Sequence, residues 1–218
     1  CKAYDPAYAG ELAVILDAGM REMMVEQQDV FYYVTLMNEN YAQPDLPADA
    51  AEGVLRGCYV FKSYSRLMDG RESPISSKKV TLLGSGAILT EVVKAAELLA
   101  AEGVEVTVLS VTSWSELARD GVAFEQRALS GEAEHSTPWL TQQLAGTAGP
   151  VIAATDYVRA VPETVRAFVP EGRRYITLGT DGFGRSDTRA ALRQFFAVDA
   201  KSIVQATKAA RSMSLRQG

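Results

Sequence analysis

The sequence predicts an α/β protein in which helices cover both faces of a mostly parallel or mixed sheet, forming a three-layer sandwich. Two observations support this fold class. Short apolar runs of strand length, such as Val80–Leu83 and Val151–Ala154, alternate with longer segments whose apolar residues recur every three or four positions. Strands that alternate with helices form parallel sheets covered on both faces, because each crossover helix packs back onto the sheet.

The alternation is most regular after residue 80. Strand Val80–Leu83, a glycine-containing turn, helix Ala87–Glu102 and strand Val104–Val111 form one β-α-β unit, and Gly103 is typical of a helix end. Before residue 80 the sequence predicts helix Ala48–Arg56 and strand Cys58–Tyr64. After residue 80 the further predicted strands are Val151–Ala154 and Tyr175–Leu178, and the predicted helices include Thr188–Phe196 and Lys201–Arg211.

The N-terminal part has a different character. Segment Tyr8–Gln28 has the apolar spacing of an amphipathic helix, and Val30–Met37 is a β-branched and aromatic run without polar alternation, which predicts a buried strand. Two prolines make Asn38–Pro47 an irregular connection, and we predict a domain boundary there. Residues 1–40 are predicted to be the end of one α/β domain. Residues 41–79 are predicted to form a linker and the first elements of the next domain, with a mobile loop at 66–79. Residues 80–218 are predicted to form this second α/β domain.

Composition excludes several classes of protein. The chain has 218 residues, of which 47% are hydrophobic and 22% charged, as in ordinary globular domains. Its net charge is -5 and its basic residues are scattered, which argues against a nucleic-acid partner. No apolar run approaches the roughly 20 residues that span a bilayer, and the first residues lack the pattern of a signal peptide. We therefore expect a cytoplasmic protein.

The chain lacks the residues of a complete active site. His135 is the only histidine, so a Ser-His-Asp relay or a multi-histidine metal site is excluded by count, although a lone general base is not. The two cysteines, Cys1 and Cys58, have no zinc-binding spacing. We expect one part of a larger enzyme, and the start at Cys1 rather than at a methionine predicts an N-terminus inside a longer polypeptide.

Two glycine-containing turns are candidate sites. Gly84-Ser85-Gly86 lies between a strand and a helix, where backbone N–H groups can bind an anion, although a tight turn needs the same residues. In the segment 179–189, Asp181 and Arg185 form a candidate charged pair at a domain or subunit contact. The alternative is structural, with glycines for the turn and Ser186 or Asp187 as cap of the next helix.

Glu39 and Tyr41 follow the predicted strand Val30–Met37. Strand ends are the places where α/β proteins carry functional groups, so both residues are candidates for a contact between domains or subunits. The sequence itself favours a simpler role for Glu39, a loop residue that caps backbone groups.

Six separated stretches of the chain carry a family resemblance. They are Ala3–Tyr8, Asn38–Tyr41, Leu83–Leu89, Ser110–Ser113 with Glu116–Gly121, Thr155–Tyr157 and Leu178–Asp187. In this order they resemble the C-terminal part of the decarboxylating component of the pyruvate dehydrogenase complex, of the homodimeric bacterial type, within the transketolase-like family that depends on thiamine diphosphate.

The resemblance implies an enzyme that decarboxylates pyruvate and transfers the acetyl group to lipoyl domains of a dihydrolipoyl acetyltransferase core. In that family the cofactor lies between the first domain of one subunit and the middle domain of the other. This chain would hold the end of the middle, pyrimidine-binding domain and the third, transketolase-type C-terminal domain. Its expected role is to support dimer and domain assembly, and we expect it to be inactive alone.

The family's cofactor motif is missing. In the family a Gly-Asp-Gly motif followed by an asparagine holds magnesium and the diphosphate, whereas Asp181-Gly182 follows Thr180 and no asparagine comes after it. No catalytic, cofactor-binding or metal residue can therefore be assigned, and we expect thiamine diphosphate and Mg in the full-length parent but not on this chain. The alternative functions are an independent anion- or nucleotide-binding regulatory module and a protein-docking module.

Overall fold

A computed structural model describes residues 1–64, 78–131 and 137–214 of the chain. Most of the loop predicted at 66–79 lies outside the described residues, as does His135. The strands form two sheets, one of five strands and one of two. The larger sheet belongs to the C-terminal part of the chain and the smaller one to the first 34 residues.

The larger sheet is mixed. Its strands are β3 (Cys58–Tyr64), β4 (Lys79–Gly84), β5 (Glu105–Val111), β6 (Val151–Ala154) and β7 (Tyr175–Leu178). Their order in the sheet is β3-β5-β4-β6-β7, and only β3 runs antiparallel to its neighbour. The predicted strands are therefore confirmed within one or two residues at each end.

Helices cover both faces of this sheet. The helices are α3 (Ile88–Ala101), α4 (Trp114–Leu129), α5 (Trp139–Ala145), the short α6 (Ala160–Glu163), α7 (Arg189–Phe195) and α8 (Ala200–Ser214). Helices α3 and α8 contribute to the apolar core on one face, and α4 and α5 contribute to the core on the other. The predicted three-layer sandwich is confirmed.

The central strand β4 shows why the apolar run predicts this fold. Val80 and Leu82 enter the core beneath α3 and α8, whereas Leu83 enters the core beneath α4 and α5, and all three are at most 1% exposed. Alternate side chains of a strand point to opposite faces, so a strand buried on both sides needs apolar residues at consecutive positions.

The N-terminal part forms a smaller layer beside the sandwich. It contains β1 (Lys2–Tyr4), α1 (Ala9–Met20) with a π-helical turn at Arg21–Val25, β2 (Tyr32–Val34) and α2 (Ala51–Arg56). Strands β1 and β2 are parallel. The helix predicted at 8–28 is thus shorter and ends in a wider turn, and residues 35–47 have no regular secondary structure.

The prediction of a buried strand over Val30–Met37 is wrong for this chain. Only Tyr32–Val34 are in β2, and Phe31, Tyr33 and Leu36 are each more than 60% exposed. Tyr32 and Val34 pack against the core that includes Ile15 of α1, so helix α1 covers one face of the two-stranded sheet. In the described chain the other face has no covering layer, which explains the exposed aromatic side chains.

Candidate functional site

The candidate site lies where the carboxyl ends of two pairs of parallel strands meet, one pair in each sheet. Asp5 follows β1, Thr35 follows β2, Ser85 follows β4 and Thr155 follows β6. Their polar atoms are joined by short hydrogen bonds that connect the N-terminal layer to the sandwich. This edge is the usual position of functional groups in α/β proteins.

Asp5 is the buried centre of this edge. Its side chain accepts a hydrogen bond of 2.6 Å from the Thr35 hydroxyl, and its carbonyl oxygen accepts one of 3.0 Å from the Gly86 N–H. Only 8% of Asp5 is exposed. Burial raises the pKa of its carboxyl group, and the Thr35 hydrogen bond opposes that shift.

The Asp5 carboxylate also explains the glycine turn. A Cβ atom on Gly86 would stand 2.7 Å from both carboxylate oxygens, and the Gly86 φ of +51° lies in the left-handed region. The hypothesis that Gly84-Ser85-Gly86 binds an external anion or nucleotide is therefore not favoured, because the protein's own carboxylate occupies the space over the turn. The structural interpretation of this turn explains its residues.

A line of hydroxyl groups continues across the same edge. Ser85 and Thr155 share a hydrogen bond of 2.8 Å between their buried hydroxyl oxygens, and the Thr35 and Tyr157 hydroxyls lie 3.3 Å apart. Burial raises the pKa of the Tyr157 hydroxyl. The group as a whole is a set of neutral hydroxyls around one carboxyl group, and it positions the ends of the strands.

Glu39 takes part in a second, charged cluster. Its carboxylate accepts hydrogen bonds from both terminal nitrogens of Arg193, one of them at 3.1 Å, and Arg193 also reaches Glu91 at 3.4 Å. The side chains of the three residues are between 10% and 20% exposed. Glu39 therefore pairs with a side chain of α7, and its carboxylate accepts no backbone N–H within the part of the chain that the structure describes, which corrects the role favoured by the sequence.

Tyr41 holds the same connection from the other side. Its hydroxyl donates a hydrogen bond of 2.5 Å to the Ala7 carbonyl oxygen, and its ring meets the Tyr8 ring edge to face. Burial raises the pKa of the Tyr41 hydroxyl, and the charge of Glu39 adds to the shift. Glu39 and Tyr41 are thus brought together as two anchors of the irregular connection.

Asp181 and Arg185 do not pair with each other through an ion pair in the described chain. Asp181 accepts a hydrogen bond of 2.8 Å from the backbone N–H of Arg159, and the Arg185 guanidinium stacks over the Phe195 ring at 4.1 Å. The cap of helix α7 is Thr188, whose hydroxyl accepts from the Ala191 N–H at 3.3 Å. The assignment of the cap to Ser186 or Asp187 is therefore wrong by one or two positions.

The most buried carboxylate of the described residues, that of Glu11, is not among the residues predicted from the sequence. Glu11 is fully buried and accepts hydrogen bonds from the Ala7 and Tyr8 backbone N–H groups, the Tyr59 hydroxyl and the Ser110 hydroxyl, at 2.5–3.0 Å. A glutamate at the third position of a helix, which binds back to the residue before the helix, is a recognisable local signal. Its contacts with β3 and β5 have no such signal, because 48 and 99 residues separate the partners.

The described residues do not fit a magnesium diphosphate site. Among residues 1–64, 78–131 and 137–214, no three His, Cys, Asp or Glu side chains are grouped so that they could hold a metal ion. The Asp5 carboxylate occupies the space over the turn at Gly86. We therefore derive no chemical step through that cofactor on this chain. None of the described helices combines the length and the apolar character needed to cross a bilayer.

The fold and this site define a class of protein. The family model of the transketolase-like C-terminal domain matches residues 57–199, which is more than half of the chain. The chain belongs to this family of domains. Residues 1–44 match a second model, the middle domain of the pyruvate dehydrogenase E1 component.

Individual relatives narrow this class. The chain is 47% identical over 208 residues to the pyruvate dehydrogenase E1 component of Pseudomonas aeruginosa, and 45% identical over 209 residues to that of Escherichia coli. Each match covers 94% of this chain but only 23% and 22% of the relative. The chain thus spans less than a quarter of the length of these relatives. The resemblance noted from the sequence is confirmed.

Solved structures support the fold alone. A split-gene transketolase described as an inactive β4 tetramer has a TM-score of 0.59 at 18% identity, and covers 98% of this chain and 58% of its own. Transketolase from Campylobacter jejuni has a TM-score of 0.58 at 18% identity, covering 93% of this chain and 25% of its own. At this level of identity the likeness shows a shared architecture.

The raised pKa of Asp5 leads to a prediction about pH. The folded state keeps this proton to a higher pH than the unfolded chain, whose carboxyl groups titrate near pH 4 as an approximate reference. The contribution of Asp5 to stability is thus complete below that pH and is lost as the pH rises through the raised value. We expect Asp5→Asn to make the free energy of unfolding fall less steeply with rising pH in this range.

Urea unfolding followed by circular dichroism at a series of pH values measures this slope. Asp45→Asn, at an exposed carboxylate in the irregular connection, is the matched control and should have the same slope as the unsubstituted chain. A slope in Asp5→Asn equal to that of the unsubstituted chain would contradict the raised pKa of Asp5.

The pair of Glu39 and Arg193 gives a second prediction. Removing one partner leaves a largely buried charge, so Arg193→Met should cost about 3 kcal/mol of the free energy of unfolding. Glu39→Gln should cost less once Arg193 is already replaced, because the two residues share one interaction. A double-mutant cycle measured by urea unfolding should give a coupling of about 1 kcal/mol or more, and additive effects would show that the pair is not formed.

Proposed function

We propose that this chain is the C-terminal region of a bacterial pyruvate dehydrogenase E1 component, in which it supports domain and subunit assembly. The parent would decarboxylate pyruvate with thiamine diphosphate and Mg, and would pass the acetyl group to the lipoyl domains of a dihydrolipoyl acetyltransferase core. The two consecutive family matches and the identity of 47% over 208 residues support this proposal. We place the parent in the cytoplasm as a homodimer.

The observation that carries the proposal is the incomplete N-terminal sheet. A two-stranded sheet is at best marginally stable, and parallel strands are normally buried on both faces. Here Phe31 and Tyr33 expose more than 60% of their surface on the uncovered face. Residues 1–44, which include this sheet, match the middle domain of the pyruvate dehydrogenase E1 component. The relative from Pseudomonas aeruginosa is more than four times as long as this chain. We infer that further chain of the parent completes this sheet.

The hydrogen bonds of β2 indicate where the missing strand pairs. Phe31 and Thr35 bond to β1 through the Phe31 carbonyl oxygen and the Thr35 N–H, so the backbone groups of Tyr32 and Val34 point to the opposite edge. That edge carries no strand within the described chain. An unpaired edge of this kind is a template for strand addition.

The candidate contact residues have defined roles in this proposal. Glu39 fastens the end of the middle domain to the C-terminal domain through Arg193, and Tyr41 fastens the irregular connection back to Ala7 of the N-terminal layer. Asp181 and Arg185 lie on the loop after β7 and are proposed as contacts with another domain or subunit. None of the four residues is assigned to catalysis or to cofactor binding.

A complementation experiment tests this function. The purified chain should neither bind thiamine diphosphate in calorimetry nor decarboxylate pyruvate alone. Mixed with a polypeptide that carries the preceding part of the parent, it should restore cofactor-dependent decarboxylation and acetylation of a lipoyl domain. Tyr33→Lys, which places a charge on the uncovered sheet face, should reduce the restored rate at least about tenfold, as expected when a buried aromatic contact is lost.

Leu129→Lys is the matched control. Leu129 is 89% exposed at the end of α4, away from the N-terminal sheet, and its replacement should leave complementation unchanged. Pyruvate decarboxylation by the chain alone, or equal effects of the two lysine variants, would overturn the proposal.

A further inference from the structure

A cavity lies at the carboxyl ends of the neighbouring parallel strands β6 and β7. Asp156 follows β6 and Thr180 follows β7, and both residues line the cavity. The strand order of the sheet reverses between β4 and β6, where α/β proteins commonly bind ligands, but Asp5 occupies the space over the turn after β4. The cavity one strand further along is open, and its volume of about 320 Å³ lies in the range of small-molecule sites.

Three arginines line this cavity at intervals of four residues. Arg189 is the first residue of α7, Arg193 lies one turn further on, and Arg185 reaches the same cavity from the preceding loop. Residues four apart in a helix lie on one face, and like charges so placed repel each other. Among the described residues, Asp156 is the one acidic side chain in the lining. The wall of the cavity therefore carries an excess of positive charge.

The neighbouring carboxylates serve the two arginines of α7. Glu39 is hydrogen-bonded to Arg193, and one of its oxygens lies 3.9 Å from the Arg189 guanidinium. Arg185 forms no salt bridge within the described part of the chain, and its guanidinium is stacked over the Phe195 ring at 4.1 Å. Stacking on an aromatic ring holds the planar guanidinium in one orientation. The positive charge available to a ligand is thus concentrated at Arg185.

The other walls of the cavity are largely apolar. Their apolar side chains are Met37, Leu192, Phe196 and Val198. Small-molecule sites commonly combine apolar walls with a few polar groups that orient the ligand. A ligand with an apolar body and one anionic group matches both parts of this lining.

We propose that this cavity binds a small organic anion, whose carboxylate or phosphate group is held by Arg185 and whose apolar part lies against Leu192 and Phe196. Arginine presents paired N–H groups that match two oxygens of such an anionic group. The site is distinct from the glycine turn at 84–86, over which Asp5 lies. The inference goes beyond the proposed role in assembly and does not depend on it.

Calorimetric titration of the chain with phenyl phosphate tests the site. This probe joins an anionic group to an apolar ring, and we expect it to bind saturably. Inorganic phosphate lacks the ring and phenol lacks the charge. Each should bind at least about tenfold more weakly than phenyl phosphate, because each uses one part of the cavity only.

Single substitutions assign the binding to these residues. Arg185→Gln should raise the Kd of phenyl phosphate at least about tenfold, because a charge-assisted hydrogen bond is lost. Leu192→Ser should weaken the binding of phenyl phosphate but not that of inorganic phosphate, because only the ring contacts the apolar wall. Asp156→Asn should lower both Kd values about threefold, because it removes the negative charge of the lining. Arg21→Gln, at an exposed arginine of the N-terminal layer, is the matched control and should leave both values unchanged.

The same titration after addition of the preceding part of the parent separates a ligand site from a contact between domains. We expect phenyl phosphate to bind the assembled protein as it binds the chain alone. Loss of binding on assembly would overturn the inference, because the rest of the parent would then occupy the cavity. Absence of saturable binding to the chain alone, or equal effects of Arg185→Gln and Arg21→Gln, would also overturn it. None of these titrations measures catalysis, so a failure of this site can be distinguished from a failure of the proposed function.

Discussion

The buried carboxylate of Glu11 is the interaction on which the arrangement of the two layers depends. A carboxylate in a protein interior is tolerated only when hydrogen bonds replace its lost hydration. Glu11 receives two such bonds at the start of α1 and two more from Tyr59 of β3 and Ser110 of β5. One side chain therefore joins the N-terminal helix to two strands of the large sheet, and any displacement of either part leaves buried groups unpaired, at about 1–3 kcal/mol each.

The other polar contacts follow from this fixed position. Helix α1 begins four residues after Asp5, so holding its start also places Asp5 over the Gly86 turn and beside Thr35. Glu39 and Arg193 then fasten the irregular connection near its start. The junction is made of satisfied carboxylates and hydroxyls, which fix geometry more strictly than an apolar contact because each bond requires one partner at one distance.

Local sequence patterns predicted the sandwich well and the junction poorly, for physical reasons. The apolar runs Val80–Leu83 and Val151–Ala154 predict strands correctly, because burial on both faces of a sheet requires consecutive apolar residues. The run around Phe31 and Tyr33 shows the same signal, yet an apolar run indicates only that burial is favourable and not that a covering layer is present. The pair of Glu39 and Arg193 joins residues 154 positions apart, a contact for which no periodicity or local motif exists.

The central claim is that a complete C-terminal sandwich carries an N-terminal sheet whose open edge and face are completed by further chain of the parent. Amide hydrogen exchange tests it most directly. In the isolated chain the amides of Tyr32 and Val34 should exchange rapidly while those of β4 are protected, and addition of the preceding part of the parent should protect both. Protection of Tyr32 and Val34 equal to that of β4 in the isolated chain would contradict the account.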